Sequence, residues 1–202
     1  KIYEANVFRL LKLLKNTRDI KGMVCLSSAS VVLPRTTFYA ASKLAVESLV
    51  KAWVQEHGTP IVVVRPSTIT GPGDAPHHLI PALISSCASQ AKIEFVPQPT
   101  HDFLHVDDFV EVLLTIIKKA DKLKGRVINV SSGKSYSNAF VKNLVEKTLG
   151  LRAKASIVKH LRSHDFIKWE VDNSEILRLG WKPKKTIEDI ISDMVANYWP
   201  GA

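Results

Sequence analysis

The sequence lacks most features of membrane, disulfide-bonded and metal-binding proteins. It has only two cysteines, Cys25 and Cys87, and neither belongs to a pair with the spacing of a metal or redox motif. Its longest apolar stretches are broken by Lys, Arg or Pro well before the roughly 18 residues that a membrane-crossing helix needs, and no charged-then-apolar leader opens the chain. We therefore expect a soluble protein of a reducing compartment, the cytoplasm, with Cys25 as a small core residue.

Acidic residues are fewer than basic residues. The sequence has 19 Asp and Glu and 28 Lys and Arg, which gives a formal net charge of +9. Such an excess can steer a phosphorylated ligand or a nucleic acid toward the surface. The basic residues form no long block and no aromatic residues interleave with them, as they do in many nucleic-acid-binding proteins. We keep nucleic-acid binding only as a third hypothesis, which salt-independent binding would exclude.

Neither repeats nor low-complexity tracts occur, and helical and strand patterns instead alternate over the first 150 residues. Helical spacing of apolar residues falls in 2–14, 41–53, 109–117 and 140–145, and runs suited to buried strands fall in 23–26, 61–64 and 126–130. This alternation predicts an α/β fold with a parallel sheet. The later region predicts a strand at 156–159 and helices near 174–179 and 187–195, which suggests a separate lobe.

Tyr39-Ala-Ala-Ser-Lys43 places a phenol and an ammonium at positions i and i+4, on one face of a helix. A free tyrosine titrates near pH 10, so a base that works near neutrality needs about 4 kcal/mol of extra stabilisation for its phenolate, and a nearby cation supplies part of it. Taken alone, the pair also fits a tyrosine at a helix start with a solvated lysine. Ser28 follows a predicted buried strand, so its hydroxyl should emerge at the carboxyl edge, where open α/β sheets bind ligands.

Four further motifs occur along the chain. They are Ala5-Asn6-Val7, Arg65-Pro66 through Gly71-Pro72-Gly73-Asp74, His101-Asp102-Phe103 through Asp107-Asp108, and Leu179-Gly180-Trp181-Lys182-Pro183. Together with Tyr39 and Lys43, these motifs and their order resemble the extended short-chain dehydrogenase/reductases, the fold of NAD-dependent nucleotide-sugar epimerases and dehydratases.

The resemblance implies a Rossmann-like, doubly wound parallel sheet without its first βαβ units. Residues 1–150 would be the remainder of an NAD-binding domain, with lobe insertions near 71–105, and residues 151–202 would form mainly a small C-terminal substrate lobe. The implied cofactor is NAD, with NADP as the alternative, and the implied partners are a nucleotide-sugar-like substrate and a second copy in a homodimer.

By the same resemblance, Tyr39 would be the catalytic base, and Lys43 would bind the nicotinamide ribose and favour the phenolate. Ser28 would align the sugar hydroxyl, and Asn6 would complete a proton relay. The implied cofactor contacts are Tyr39, Lys43, Ser27 and Pro66.

The implied substrate contacts are Ser28, Thr68, Thr70, His101 and Arg162. A guanidinium at position 162 suits a diphosphate because its planar fork bonds two oxygens together, although an ordinary exposed arginine is the open alternative.

The sequence departs from the family pattern in ways that bear on the ligand. His101 stands in place of the usual arginine, which exchanges a fixed positive charge for a group that is mostly neutral above about pH 6.5. Thr68 and Thr70 stand where Asn and Tyr are common, and only eleven positions separate Ser28 from Tyr39. These changes predict atypical sugar contacts and a shorter wall on that side of the site.

The family's Gly-x-x-Gly-x-x-Gly turn, which binds a pyrophosphate at a helix N-terminus, has no counterpart in these 202 residues. The chain by itself is therefore expected to bind NAD weakly and to be inactive. No metal site is expected, because the adjacent His77 and His78 cannot easily share one ion. Two main hypotheses stay open: an epimerase/dehydratase-type enzyme, and a truncated non-catalytic relative that binds a ligand or partner.

Overall fold

The computed structural model describes residues 1–16, 19–33, 36–159 and 171–198. By their contacts the residues form two compact units. Unit 1 consists of Lys1–Ser67, Phe109–Ser131 and Val171–Lys182, and unit 2 of Thr68–Asp108, Ser132–Glu170 and Pro183–Ala202. No helix in the described part of the chain is both long enough and apolar enough to span a bilayer.

Unit 1 is built on a parallel three-stranded sheet. Its strands are β1 (Met23–Leu26), β2 (Ile61–Pro66) and β6 (Val127–Val130), in the order β1-β2-β6. Met23 pairs with Ile61, and Val63 pairs with Val127. All four residues of 61–64 are at most 1% exposed, and since successive side chains point to opposite faces, the sheet is covered on both faces.

The helices of unit 1 follow from apolar stripes at helical spacing. A π-helical turn (Glu4–Phe8) leads into α1 (Arg9–Leu14), and α2 (Phe38–His57) is the longest helix. They cover one face of the sheet through a core of Leu10, Leu14, Cys25, Val46, Val50, Ile61 and Val63. Most of α4 (Val106–Lys118), α5 (Ala120–Leu123) and α7 (Ser174–Arg178) complete the unit.

Unit 2 contains short strands and three longer helices. β3 (Thr68–Thr70), β5 (Thr100–His105) and β7 (Ser135–Ser137) form one sheet, and β4 (Ile93–Phe95) pairs with β8 (Ala155–Ile157). The pair β5 and β7 is antiparallel. Helices α3 (Leu79–Ser89), α6 (Asn138–Leu149) and α8 (Ile187–Tyr198) enclose the core.

The α/β fold and the parallel sheet are as predicted from the sequence, and Cys25 is a buried core residue, 5% exposed. The strand predicted at 156–159 occupies Ala155–Ile157. The predicted boundary at residue 150 lies inside unit 2, because α6 packs against α3 and α8. The roles assigned to the two regions stay predictions.

Candidate functional site

Tyr39 lies in the first turn of α2, whose start is fixed by Thr37. The Thr37 hydroxyl accepts a hydrogen bond from the Ala40 backbone N–H at 3.1 Å, which satisfies one of the free donors at the helix N-terminus. Tyr39 is 43% exposed, so its ring remains open to solvent at the end of the helix.

Ser27 and Ser28 extend from the carboxyl end of β1. The Ser27 backbone N–H donates to the Val64 carbonyl at 2.8 Å, which continues the β1-β2 pairing by one residue. The half-buried Ser28 caps a 3-10 turn over Ala29–Val32, because its hydroxyl oxygen accepts from the Ser30 N–H at 3.2 Å. The hydroxyls therefore emerge at the carboxyl edge of the parallel sheet, as the sequence predicts.

Lys43 contacts both the end of β1 and the Tyr39 ring. Its Nζ donates to the Leu26 carbonyl at 3.0 Å and lies 5.6 Å from the centroid of the Tyr39 ring. Burial lowers the pKa of Lys43, and the neighbouring Cys25 opposes that shift. The structure thus brings a partly desolvated ammonium beside the phenol ring and the strand end.

Asn6, in the N-terminal π-helical turn, contacts α2. Its Nδ2 donates to the Ser42 hydroxyl at 2.9 Å, and that hydroxyl donates to the Tyr39 backbone carbonyl at 2.7 Å. The amide therefore braces the first turn of α2, and its predicted role in a proton relay is not tested by these contacts.

Glu47 is a residue of the site that the sequence analysis missed. It is 9% exposed, and its carboxylate accepts hydrogen bonds from Ser27 Oγ at 2.5 Å and from Arg65 Nε and Nη2 at 2.7 and 2.6 Å. One signal could have revealed it: Glu47 follows Lys43 by four residues, on the helix face that meets the strand ends.

The other two predicted cofactor contacts, Ser27 and Pro66, have different surroundings. Ser27 is 2% exposed, and its hydroxyl donates to Glu47, so that hydroxyl hydrogen is already used in a bond within the protein. Pro66 is half-buried at the end of β2, opposite Val130 of β6. Both lie at the carboxyl edge of the unit 1 sheet, and their predicted roles are untested.

Three predicted substrate contacts lie in unit 2. Thr68 of β3 pairs with Phe103 of β5, and His101 of β5 pairs with Tyr136 of β7, so Thr68 and His101 are on neighbouring strands. Thr70 is 3% exposed, and its hydroxyl donates to Asp74 Oδ2 at 2.9 Å. A substrate contact through that hydroxyl would require Asp74 to release it.

Arg162 lies outside the described residues, so its predicted contact with a diphosphate is untested. His105 is buried, 1% exposed. Its Nδ1 accepts from the Asp107 N–H at 3.1 Å, so the neutral ring carries its proton on Nε2.

Asp102 has a structural role that was not predicted from the sequence. This residue is 1% exposed, and its carboxylate accepts from the backbone N–H groups of Ser132 and Gly133 at 2.8 and 2.9 Å. It therefore fixes the turn that leads into β7, the strand that pairs with His101. A buried carboxylate needs such partners.

No group of three or more His, Cys, Asp or Glu side chains in the described ranges has the arrangement of a metal site. His78 Nδ1 lies 2.6 Å from Asp74 Oδ1, and the His77 and His78 rings meet edge to face with centroids 4.7 Å apart. These contacts lie in the segment between β3 and α3.

The amino-acid sequence is similar to that of known proteins over most of its length. Over residues 9–131 the chain matches the model of the NAD dependent epimerase/dehydratase family. The dTDP-D-glucose 4,6-dehydratase of Mus musculus is 29% identical over 173 residues, which cover 81% of this chain and 48% of that protein. The chain spans about half the length of the curated relatives it matches.

Solved structures share the fold. The dTDP-glucose 4,6-dehydratase of Bacillus anthracis, in complex with NAD, matches with a TM-score of 0.87 at 21% identity, over 98% of this chain and 69% of that one. The UDP-glucuronic acid 4-epimerase of Bacillus cereus, in complex with UDP-glucuronic acid and NAD, matches with a TM-score of 0.86 at 20% identity, over 96% and 67%. The family match covers more than half of the residues, and the chain belongs to the NAD dependent epimerase/dehydratase family.

Proposed function

We propose that the protein carrying this chain is an NAD(P)-dependent oxidoreductase or isomerase of the epimerase/dehydratase type, acting on a nucleotide-sugar-like substrate. The observation that supports it most directly is the position of Lys43, whose ammonium is bound at the end of β1 and lies 5.6 Å from the Tyr39 ring. Family membership supports the reaction class. Related structures in complex with NAD, and one with NADPH, support the cofactor class.

The residues present fit the nicotinamide-ribose end of such a cofactor. The Lys43 ammonium has three donors, of which the Leu26 carbonyl takes one, so two remain for ribose hydroxyls. Tyr39 is open enough to contact a ligand, and Pro66 lies at the same sheet edge. A bound nicotinamide dinucleotide would supply hydride transfer.

In the proposed mechanism, Tyr39 accepts the proton of a sugar hydroxyl when the carbon that bears it is oxidised. The positive charge of Lys43 favours the phenolate.

Ser28 is proposed to align the reacting hydroxyl. Its oxygen accepts from the Ser30 N–H, so its own hydrogen remains to donate to a substrate oxygen. Asn6 supports the base indirectly, because its bond to Ser42 braces the turn that carries Tyr39. A general base held in this way contributes typically about 10²- to 10⁴-fold in rate.

Within unit 2 we propose Thr68 and His101 as contacts for the sugar and its diphosphate, with Thr70 and Arg162 as further candidates. A histidine at position 101 makes the diphosphate contact dependent on pH, because only its protonated form offers a positive charge. Epimerisation, dehydration or reduction would each be compatible with this set of residues.

Residues 1–202 alone are proposed to bind the dinucleotide weakly, because they contain no Gly-rich pyrophosphate turn. We also propose a homodimer in the cytoplasm, and analytical ultracentrifugation of the full-length protein tests the oligomer.

The direct test incubates the full-length protein with NAD or NADP and a panel of nucleotide sugars, and identifies products by NMR. We expect turnover of at least one member, with loss of activity in Tyr39→Phe and Lys43→Met. Glu56→Gln, which changes an exposed carboxylate of the same helix, serves as a control that retains activity. Absence of turnover and of cofactor binding in the wild type would contradict the proposal and favour the non-catalytic alternative.

A further inference from the structure

Glu47 connects the helix that carries Tyr39 and Lys43 to the ends of two strands. Its carboxylate receives one hydrogen bond from Ser27, just beyond β1, and two from Arg65, near the end of β2. The two bonds from Arg65 are bidentate, a geometry that fixes the relative orientation of both side chains.

The position of Glu47 along α2 relates it to the rest of the site. It lies one turn beyond Lys43 and about two turns beyond Tyr39, on neighbouring parts of one helix face. Lys43 is itself bound to the Leu26 carbonyl. The helix is therefore attached to the end of β1 at two successive turns, and to β2 through Arg65.

Packing alone does not require a charged pair at the position of Glu47 and Arg65. Glu47 is 9% exposed, and the Arg65 side chain is 20% exposed, so both charges are largely removed from water. Well-packed apolar residues of similar volume often stabilise a fold as much as such a buried pair does, whereas an ion pair has a directional geometry that apolar contacts lack. The pair therefore suits a role in setting position.

We propose that Glu47, through Ser27 and Arg65, is a positioning residue that sets the axial place and rotation of α2 relative to the carboxyl ends of β1 and β2. By this account it determines where the Tyr39 phenol and the Lys43 ammonium lie relative to Ser28. The inference rests on the proposed function for its catalytic consequence. Its geometric part does not depend on that function.

The test uses the Glu47→Gln/Arg65→Met double variant of the full-length protein. It keeps an acceptor for the Ser27 hydroxyl and leaves no unpaired buried charge, so the fold should persist. The matched control is Glu56→Gln, whose side chain is 71% exposed on the same helix. If the double variant does not fold, Glu47→Asp carries the test, because it keeps the charge but shortens the reach.

The first readout is the Tyr39 ring resonance in protein labelled at the tyrosine Cζ, assigned with Tyr39→Phe. We expect the double variant to shift or broaden this resonance while thermal unfolding stays close to that of the wild type, and the control to change neither. This readout does not require turnover, so it decides the positioning role even if the proposed activity is absent.

The second readout applies once a substrate is known. We expect kcat of the double variant to fall about 100-fold, the size of effect that a displacement near 1 Å can have, with KM nearly unchanged. A Tyr39 resonance identical to that of the wild type in a folded variant would overturn the inference. So would a kcat within about two-fold of the wild type, since a misplaced base should lose far more.

Discussion

Removal of the N-terminal cap of α2 should loosen the turn that carries Tyr39. In Thr37→Ala, the Ala40 N–H loses the hydroxyl that accepts its hydrogen bond at 3.1 Å. Replacing a threonine N-cap by alanine costs typically about 1 kcal/mol. Thr37→Ser keeps a hydroxyl at the same place and is the matched control.

The expected size of the effect follows from the loss of this one hydrogen bond. A loss of about 1 kcal/mol raises the population of the frayed first turn about five-fold. The Ala41 amide, which donates to the Thr37 carbonyl at 2.8 Å, reports this opening because it exchanges with solvent only when the turn opens. We therefore expect its exchange rate to rise about five-fold in Thr37→Ala and to change little in Thr37→Ser.

The assay is amide hydrogen exchange followed by NMR, with amides in the middle of α2 as internal references. Equal acceleration in both variants would show that the methyl group, not the hydroxyl, matters at this position. No acceleration in either would show that the turn is held by other contacts, and the reasoning about the cap would then be wrong.

Three further predictions concern other parts of the structure. Burial opposes ionisation of Glu146, yet hydrogen bonds from two basic side chains and a backbone amide hold its pKa below the usual 4.5. Glu146→Gln should therefore lower the free energy of unfolding by about 1–2 kcal/mol above roughly pH 5. Urea titrations should show this difference shrink as the pH falls below that value. Gly71→Ala should destabilise by about 1–3 kcal/mol, since φ is +156° and an added Cβ would lie 2.7 Å from Val106. Gly73 also has a positive φ, +86°, but an added Cβ there would meet no atom within 4 Å, so Gly73→Ala should cost only the backbone strain and less than Gly71→Ala in the same denaturation assay. Burial raises the pKa of the Cys25 thiol to about 11, so iodoacetamide at pH 8 should modify Cys25 only after denaturation, as mass spectrometry can determine.

The unit 1 sheet could be predicted from the sequence because its signals are local. A run such as residues 61–64 is β-branched throughout and buried on both faces, which is the pattern of a central parallel strand. The helices beside it show apolar residues at helical spacing. Their order along the chain was enough to predict a parallel α/β arrangement.

The strands of unit 2 carry much weaker signals. β3, β4, β7 and β8 have three residues each, too few for a periodic pattern to emerge. Their pairing depends on contacts between distant parts of the chain, such as Ile93 with Ala155. Each of the two units likewise draws on three separate segments of the chain, and the predicted division near residue 150, with lobe insertions near 71–105, stays a prediction.

The residues of the candidate site also differ in how readily they can be predicted from the sequence. Ser28, Tyr39 and Lys43 could be proposed because they lie in short motifs whose chemistry is readable within eleven to fifteen positions. The bonds of Glu47 to Ser27 and Arg65 bridge twenty and eighteen positions between separate elements. Such pairings are decided by tertiary packing, so a linear pattern does not contain them.

The proposed role of Tyr39 as the base is tested most directly by comparing the wild-type full-length protein with Tyr39→Phe in a single turnover. The reaction starts on mixing with a nucleotide sugar that binds, and the absorbance of reduced nicotinamide is recorded over time. We expect Tyr39→Phe to bind cofactor and sugar as the wild type does but to form reduced nicotinamide about 10²- to 10⁴-fold more slowly, because phenylalanine has no hydroxyl that could act as the proposed base. An unchanged rate in Tyr39→Phe would contradict the assignment of Tyr39 as the base.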